Sequence, residues 1–552
     1  VSETLATTVT PAGDPAADPA ADPAADPSYD PRTGAQHGSV PHTTPEHVAA
    51  ILRRAQSAAS VIAGTSPATR QGWLTAIADS LRTHEDELVR LAGEETGLGA
   101  DRLHGELAKC ATSTVFYGAV AAEGSYLGAG TEGIGGDSTL SRWNIPLGPV
   151  AVFGASNFPF GFGVIGHDVA SALGAGCPVI VKAHPAHPRL SVRLAELVSD
   201  ALERAGAPVG SYALVVGFDA GLQLVDAAEI TAIAFTGSQG GGMALVQRAA
   251  ARGVPVFAEM GTVNPVFVTT DAAADSAQIA AGFVGSFTLG AGQFCTKPGL
   301  LFAPAGAGIF DAVRAELRQA PSAPLLTAGI ARGYRAGLTG LAEAAAAAGN
   351  AGADSAEADS AEADSAEADS AEADSAEADS AEADSAEADS ADGYAVDPQA
   401  FLVRLEDLHP GSRLLEECFG PVALVCEYED AAAALDALTR LQPSLVASVF
   451  TGGPDDPESA GVVGRLLGQV GRVALNAWPT GVATSWSMQH GGPWPATSRS
   501  EATSVGAGAL DRFVRPVAVQ NADPAHLPAG LHPDNPWRIP RRIDGKLTLP
   551  AS

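Results

Sequence analysis

The chain has 552 residues, 46% of them hydrophobic and only 6% aromatic, with 62 glycines and a formal net charge of −32. That length exceeds what one hydrophobic core organises, so two or three domains are expected, and the composition suits closely packed helices on a parallel sheet. An acidic chain with no basic stripe repels phosphate backbones, which argues against nucleic-acid binding, and no apolar run reaches the length of a membrane span.

Residues 1–42 contain PAADPAADPAADP, where regular prolines remove helical donors, so a disordered Pro/Ala/Asp arm is predicted. The start of the chain has neither a basic n-region nor an apolar h-region, and a cytoplasmic location is expected. Amphipathic helical patterns follow over His47–Ala63, Pro67–Thr83 and Glu85–Gly97. From Gly148 the texture changes. GPVAVFG, PVIVKA, ALVVG, ITAIAFTG and PVFAEMG are continuous apolar runs separated by helical segments, the signature of buried parallel strands with crossover helices. The predicted class is therefore α/β, with a doubly wound nucleotide-binding domain over 43–124 and 146–260. A second α/β domain is expected over 261–475, with strands at Pro265–Val268, Leu300–Phe302, Val422–Cys426 and Ala447–Phe450. It is interrupted at 354–392 by a DSAEA repeat whose nine Asp and seven Glu carry half of the net charge, read as a solvated surface insertion.

The five cysteines, Cys110, Cys177, Cys295, Cys418 and Cys426, are odd in number and widely spaced, as expected of reduced thiols. Cys295 stands apart in GAGQFCTKPG, where small neighbours leave a thiol accessible to attack a carbonyl carbon. Asn157 in FGASNFPFGFG follows a strand in a turn set by Pro159, so its amide is available to a developing oxyanion. Glu259 in PVFAEMG ends another strand, where a carboxylate faces a crevice. Taken singly, these three read as a small buried residue, a turn residue and a paired acid. His490 in MQHGGPWPAT is read either as lining a substrate tunnel and assisting proton transfer or as a structural histidine bonded to backbone. His184 and His187 pack in a turn, and no metal site is predicted.

The SNFP turn, VIVKAHPAHP, FTGSQGGG, AEMGTVNP, GQFCTKPG, EECFGPV and NAWPTGV occur in that order, and the chain from about Pro45 to Pro516 resembles the aldehyde dehydrogenase superfamily. The wording is most similar to its NADP-accepting branch of 2-oxoglutarate semialdehyde (2,5-dioxopentanoate) dehydrogenases and bacterial long-chain aldehyde dehydrogenases. The resemblance implies a Rossmann-type cofactor domain, an α/β catalytic domain, and small oligomerisation strands at 125–145 and 503–516, followed by a C-terminal tail at 517–552. It implies Cys295 as nucleophile, Glu259 as the base for water and Asn157 in the oxyanion hole. Lys182 matches the adenosine-ribose lysine, Gly237, Ser238 and Gly242 the pyrophosphate turn, and Glu417 and Phe419 the nicotinamide-ribose and ring contacts.

The implied reaction oxidises an aldehyde to a carboxylate through a Cys thioester, with 2,5-dioxopentanoate as substrate and long-chain aliphatic aldehydes as the alternative. A non-catalytic scaffold using the acidic repeat is the alternative of another class. NADP+ is expected to be modestly favoured over NAD+, because Pro185 stands where NAD-preferring relatives often carry an acid and leaves no like charge against a 2′-phosphate. The implied partners are a small-molecule aldehyde and further copies of the chain in a homodimer or homotetramer.

Overall fold

The computed structural model describes residues 24–347 and 393–550. Four helices, Pro45–Ala63, Pro67–Thr83, Glu85–Thr96 and Ala100–Glu123, form the first layer. The first two begin alike: the side chains of Thr44 and Ser66 accept from His47 N and Thr69 N, and each is followed by proline in the first turn. That pairing satisfies orphan amides and presets the helical φ.

These helices and their successors cover a five-stranded parallel sheet in the order Tyr212–Val215, Val179–Lys182, Val150–Phe153, Ala232–Gly237 and Val256–Met260. The strands are apolar on both faces because both faces are covered, as at the buried Val150, Ala151 and Val152. The chain winds one way from Val150–Phe153 and then the other, so a switch point opens at the carboxyl ends of Val150–Phe153 and Ala232–Gly237, where a ligand crevice forms.

A six-stranded parallel sheet follows, ordered Gln399–Val403, Val422–Tyr428, Pro298–Pro304, Asn264–Val268, Ser444–Phe450 and Val470–Leu475. The acidic repeat at 354–392 lies outside the described residues. Among the described residues, no helix is long and apolar enough to cross a membrane.

Two boundaries differ from expectation. The predicted arm over 1–42 is ordered from residue 24: Ala25–Tyr29 pairs antiparallel with Gln36–Pro41, while residues 1–23 lie outside the described part. The inward side chains of its first strand are polar, Asp26 and Ser28, and tertiary partners satisfy them: Ser28 Oγ donates to Glu95 Oε1 at 2.6 Å. No hydrophobic alternation announces such a strand. The small sheet also differs. Its strands are Val514–Gln520, Ser138–Pro146, Gly130–Gly135, Arg541–Ile543 and Lys546–Thr548. Much of 503–513 instead forms the short helix Ala507–Phe513, with Ala509, Leu510 and Phe513 buried, and the expected tail supplies the last two strands.

Candidate active site

Cys295 follows three consecutive left-handed residues, Gly290, Ala291 and Gly292, with φ of 57°, 57° and 69°. Ala291 is strained in that region, as reactive loops often are, and a side chain at Gly292 would run into the carbonyl of Gly420. The loop is then pinned from below. Asn264, buried at the start of its strand, donates from Nδ2 to the carbonyls of Cys295 and Lys297 at 2.8 and 3.0 Å and accepts from Val446 N at 3.2 Å. Lys297 turns away from the thiol. Its Nζ donates to the carbonyls of Cys418, Gly420 and Val422 at 2.8, 2.9 and 2.9 Å, holding the segment that carries Glu417 and Phe419. Burial pushes this amine below the usual lysine value. All five cysteines are free and only Cys295 is partly exposed; burial drives the Cys110 and Cys426 thiols up to about 12, leaving them inert.

Cys295 Sγ lies 3.8 Å from His490 Nε2, and His490 Nδ1 lies 2.6 Å from Glu259 Oε2. Ser504 N donates to Glu259 Oε1 at 3.2 Å, and Thr503 Oγ1 accepts from His490 N at 2.9 Å. With only 3% and 6% of His490 and Glu259 exposed, the pair is shielded from water. Burial pulls the imidazole down, but the Glu259 carboxylate and the Cys295 sulfur outweigh it and raise it to about 10. Burial pushes Glu259 up, but His490 and Ser504 hold it below the usual carboxylate range. The result is a thiol–imidazole–carboxylate chain. The His490 ring is bonded to side chains rather than to backbone.

Asn157 Nδ2 donates to Gln293 O at 2.8 Å, and its own carbonyl accepts from Arg102 Nη2 at 2.8 Å. One amide hydrogen thus steadies the Cys295 loop, and Nδ2 carries a second. The turn beyond it is held by Glu106, whose Oε1 accepts from Phe160 N and Gly161 N at 2.9 and 3.0 Å. The Arg102 guanidinium lies over the rings of Phe158 and Phe294 at 5.3 and 4.9 Å. Arg102, Glu106 and Lys109 were not singled out from sequence; their helical spacing on Ala100–Glu123 was the available signal. Asn264 and Lys297 lay inside recognised motifs, but their side-chain directions depend on the fold.

On the other side of the crevice, Lys182 ends its strand and Ser238 caps the helix Gln239–Ala250, its Oγ accepting from Gly241 N at 3.1 Å. Gly237 ends the preceding strand, and Gly242 packs on Met260, whose Sδ would lie 2.7 Å from an added Cβ. A helix N-terminus at the switch point is an anion site suited to a pyrophosphate. Glu417 occupies the space that a Gly261 side chain would fill; burial raises its carboxyl to about 7 against the pull of Lys297. Phe419 beside it is partly buried. An anion-binding helix end, a basic group at the neighbouring strand end and a carboxyl on a glycine cradle fit a nicotinamide dinucleotide.

Residues 20–494 match the model of the aldehyde dehydrogenase family. The chain is 38% identical to "Alpha-ketoglutaric semialdehyde dehydrogenase 2" of Azospirillum brasilense, covering 87% of each chain. It is 34% identical to "Alpha-ketoglutaric semialdehyde dehydrogenase" of Acinetobacter baylyi, covering 88% of each. Among solved structures, a 1-pyrroline-5-carboxylate dehydrogenase from Thermus with bound NAD aligns over 90% of each chain at 20% identity with a TM-score of 0.73. An NADP-dependent glyceraldehyde-3-phosphate dehydrogenase from Bacillus halodurans complexed with NADP aligns over 90% of this chain and 95% of its own at 21% identity with a TM-score of 0.71. By this match and these relatives, this chain belongs to the aldehyde dehydrogenase family and is an NAD(P)+-dependent oxidoreductase acting on aldehydes.

Proposed function

We propose that the chain oxidises 2-oxoglutarate semialdehyde (2,5-dioxopentanoate) to 2-oxoglutarate, the reading carried by its similarity along most of its length to two alpha-ketoglutaric semialdehyde dehydrogenases. The mouth of the site supports a carboxylate-bearing substrate over a long-chain aliphatic aldehyde. Arg472 is within electrostatic reach of Cys295 and of Lys109, and Arg102 stacks on Phe294 next to the nucleophile. Glu106 already offsets the charges of Arg102 and Lys109, so the cation left for a substrate carboxylate is Arg472, which an alkyl chain would desolvate without pairing.

In the mechanism, His490 as imidazolium donates Nε2–H toward the Cys295 thiolate, and Glu259 keeps that proton in place. The sulfur adds to the aldehyde carbon, and the oxyanion accepts from Asn157 and the Cys295 N–H. A nicotinamide dinucleotide held by Lys182, the helix end at Ser238, Glu417 and Phe419 would supply the hydride acceptor, and Cys295 would then carry the acyl group as a thioester. Glu259, held at Oε2 by His490 Nδ1, then takes a proton from the attacking water as its oxygen adds to the thioester carbonyl. Collapse expels the Cys295 thiolate and liberates the acid.

Both cofactors are admitted at the adenosine end. Pro185 leaves that turn without a carboxylate and so without a like charge against a 2′-phosphate, which supports use of NADP+ as well as NAD+. Exposed sheet edges at Val514–Gln520 and Lys546–Thr548 support association into a dimer or tetramer. The substrate reading is tested by kcat/KM for 2,5-dioxopentanoate against hexanal and dodecanal. A preference for the apolar aldehydes would overturn it.

A further inference from the structure

The N-terminal hairpin ends against the adenosine side of the crevice. His42 N donates to Ala24 O at 2.7 Å, Thr43 N to Val216 O at 2.9 Å, and Val216 N to Thr43 Oγ1 at 2.9 Å, so residues 42–43 run beside the carboxyl end of the strand Tyr212–Val215. The next residue, Gly217, has φ of 100°, and a Cβ there would lie 2.7 Å from the His42 ring. His42 Nε2 in turn lies 2.7 Å from Asp26 Oδ1.

Lys182 is the register partner of Val215, so it ends the strand next to this junction. Its stem lies on Gly221, in the first turn of the helix Phe218–Asp226; a Cβ there would be 3.2 Å from Lys182 Cγ. Burial lowers the Lys182 amine, and the Asp26 carboxylate pulls it back up. Asp26 is itself buried, 9% exposed, and its Oδ2 has no hydrogen-bond partner among the described residues. A buried carboxylate oxygen left unpaired at a ligand crevice is costly unless a ligand or water supplies a donor. The His42 contact fixes the other oxygen and so fixes which one is spare.

We propose that Asp26, delivered by the N-terminal hairpin and held by His42, is the acid of the adenosine-ribose pocket, acting with Lys182 to discriminate NAD+ from NADP+. It takes the part for which Pro185 has no side-chain charge. A ribose hydroxyl donates to the spare oxygen, whereas a 2′-phosphate meets a like charge at low dielectric. Selection between the cofactors therefore depends on an element far in sequence from the dinucleotide turn. The inference rests on the NAD(P)+ site of the family and not on the identity of the aldehyde, so a binding measurement tests it even if the substrate reading fails.

The experiment measures Kd for NAD+ and NADP+ by quenching of intrinsic tryptophan fluorescence in the full chain and its variants. Asp26→Asn should lower the ratio Kd(NADP+)/Kd(NAD+) by about tenfold, as expected for one charge-assisted contact exchanged for a neutral one. Adding Pro185→Glu to that variant should raise the ratio again. Ser28→Ala loosens the same hairpin at its Glu95 contact without changing charge, and should leave the ratio where it is. Asp26→Ser provides a second neutral variant should Asn disturb the fold, and should move the ratio in the same direction. An unchanged ratio in both neutral variants, a parallel rise of both Kd values, or a Ser28→Ala shift equal to that of Asp26→Asn would overturn the proposal.

Discussion

The two sides of the active-site crevice are built differently. On the substrate side the polar groups are tied to the protein: Asn264 and Asn157 hold the Cys295 loop, Lys297 is caged by three carbonyls, and His490 is locked between Cys295 and Glu259. On the side where Lys182 ends its strand, the buried Asp26 Oδ2, proposed above to face the adenosine ribose, has no hydrogen-bond partner among the described residues. The difference follows from what each side must do. A covalent centre needs its reacting atoms fixed before substrate arrives, whereas a cofactor that leaves after each turnover must find unspent donors and acceptors.

The comparison breaks most completely at Cys295. Cys295→Ala should lower turnover roughly 10⁴-fold or more while leaving NAD(P)+ affinity nearly intact; equal loss of both, measured by steady-state kinetics and cofactor titration, would deny that the two sides are separable. Glu259→Gln should reduce steady-state turnover by roughly 10²-fold while retaining a pre-steady-state burst of NAD(P)H. His490→Asn should slow the burst as well, because it removes the group that touches the sulfur. A normal burst in His490→Asn would show that the thiolate does not depend on it.

On the cofactor side, Lys182→Met should raise Kd for NAD(P)+ by about tenfold with kcat at saturation little changed. A fall in kcat alone would mean that Lys182 belongs to the rigid side.

The His490–Glu259 pair also makes stability depend on pH. Since the folded His490 value is raised to about 10 from 6.5, its contribution is complete below pH 6.5 and is lost as pH rises through about 10. Since the folded Glu259 value is lowered from 4.5, its contribution is complete above pH 4.5 and is lost as pH falls through the lowered value. The stability gap between wild type and Glu259→Gln should therefore be largest between pH 4.5 and 6.5 and should narrow toward pH 10. Urea denaturation at several pH values checks this, and a gap that widens with pH would contradict the ion-pair assignment. Deleting residues 354–389 should have the smallest effect of all, with activity and melting temperature almost unchanged, since loop closure depends weakly on length. Aggregation of that variant would show that the repeat contributes to the fold.

The alternation of apolar runs with helical periods was enough to locate the five strands of the first sheet, because strands covered on both faces must be continuously apolar. Local chemistry likewise marked Cys295, Asn157 and Glu259: a small-residue turn, a proline-directed turn and a strand end can each be read within a few residues. Sequence by itself determined the α/β class and the order of the strands, and it pointed to Cys295 as the candidate nucleophile. Tertiary structure decided the rest. His490 meets Cys295 and Glu259 only when segments about 200 residues apart converge. Lys297 follows the nucleophile closely in sequence, yet its amine is claimed by carbonyls more than a hundred residues away. The strand Ala25–Tyr29 escaped detection because its inward residues are polar, and whether a buried Asp26 or Ser28 is tolerable depends on His42 and Glu95 being folded against them. Hydrophobic burial follows a local period and can be read along the chain, whereas satisfaction of a buried polar group depends on a partner that only the folded chain brings near.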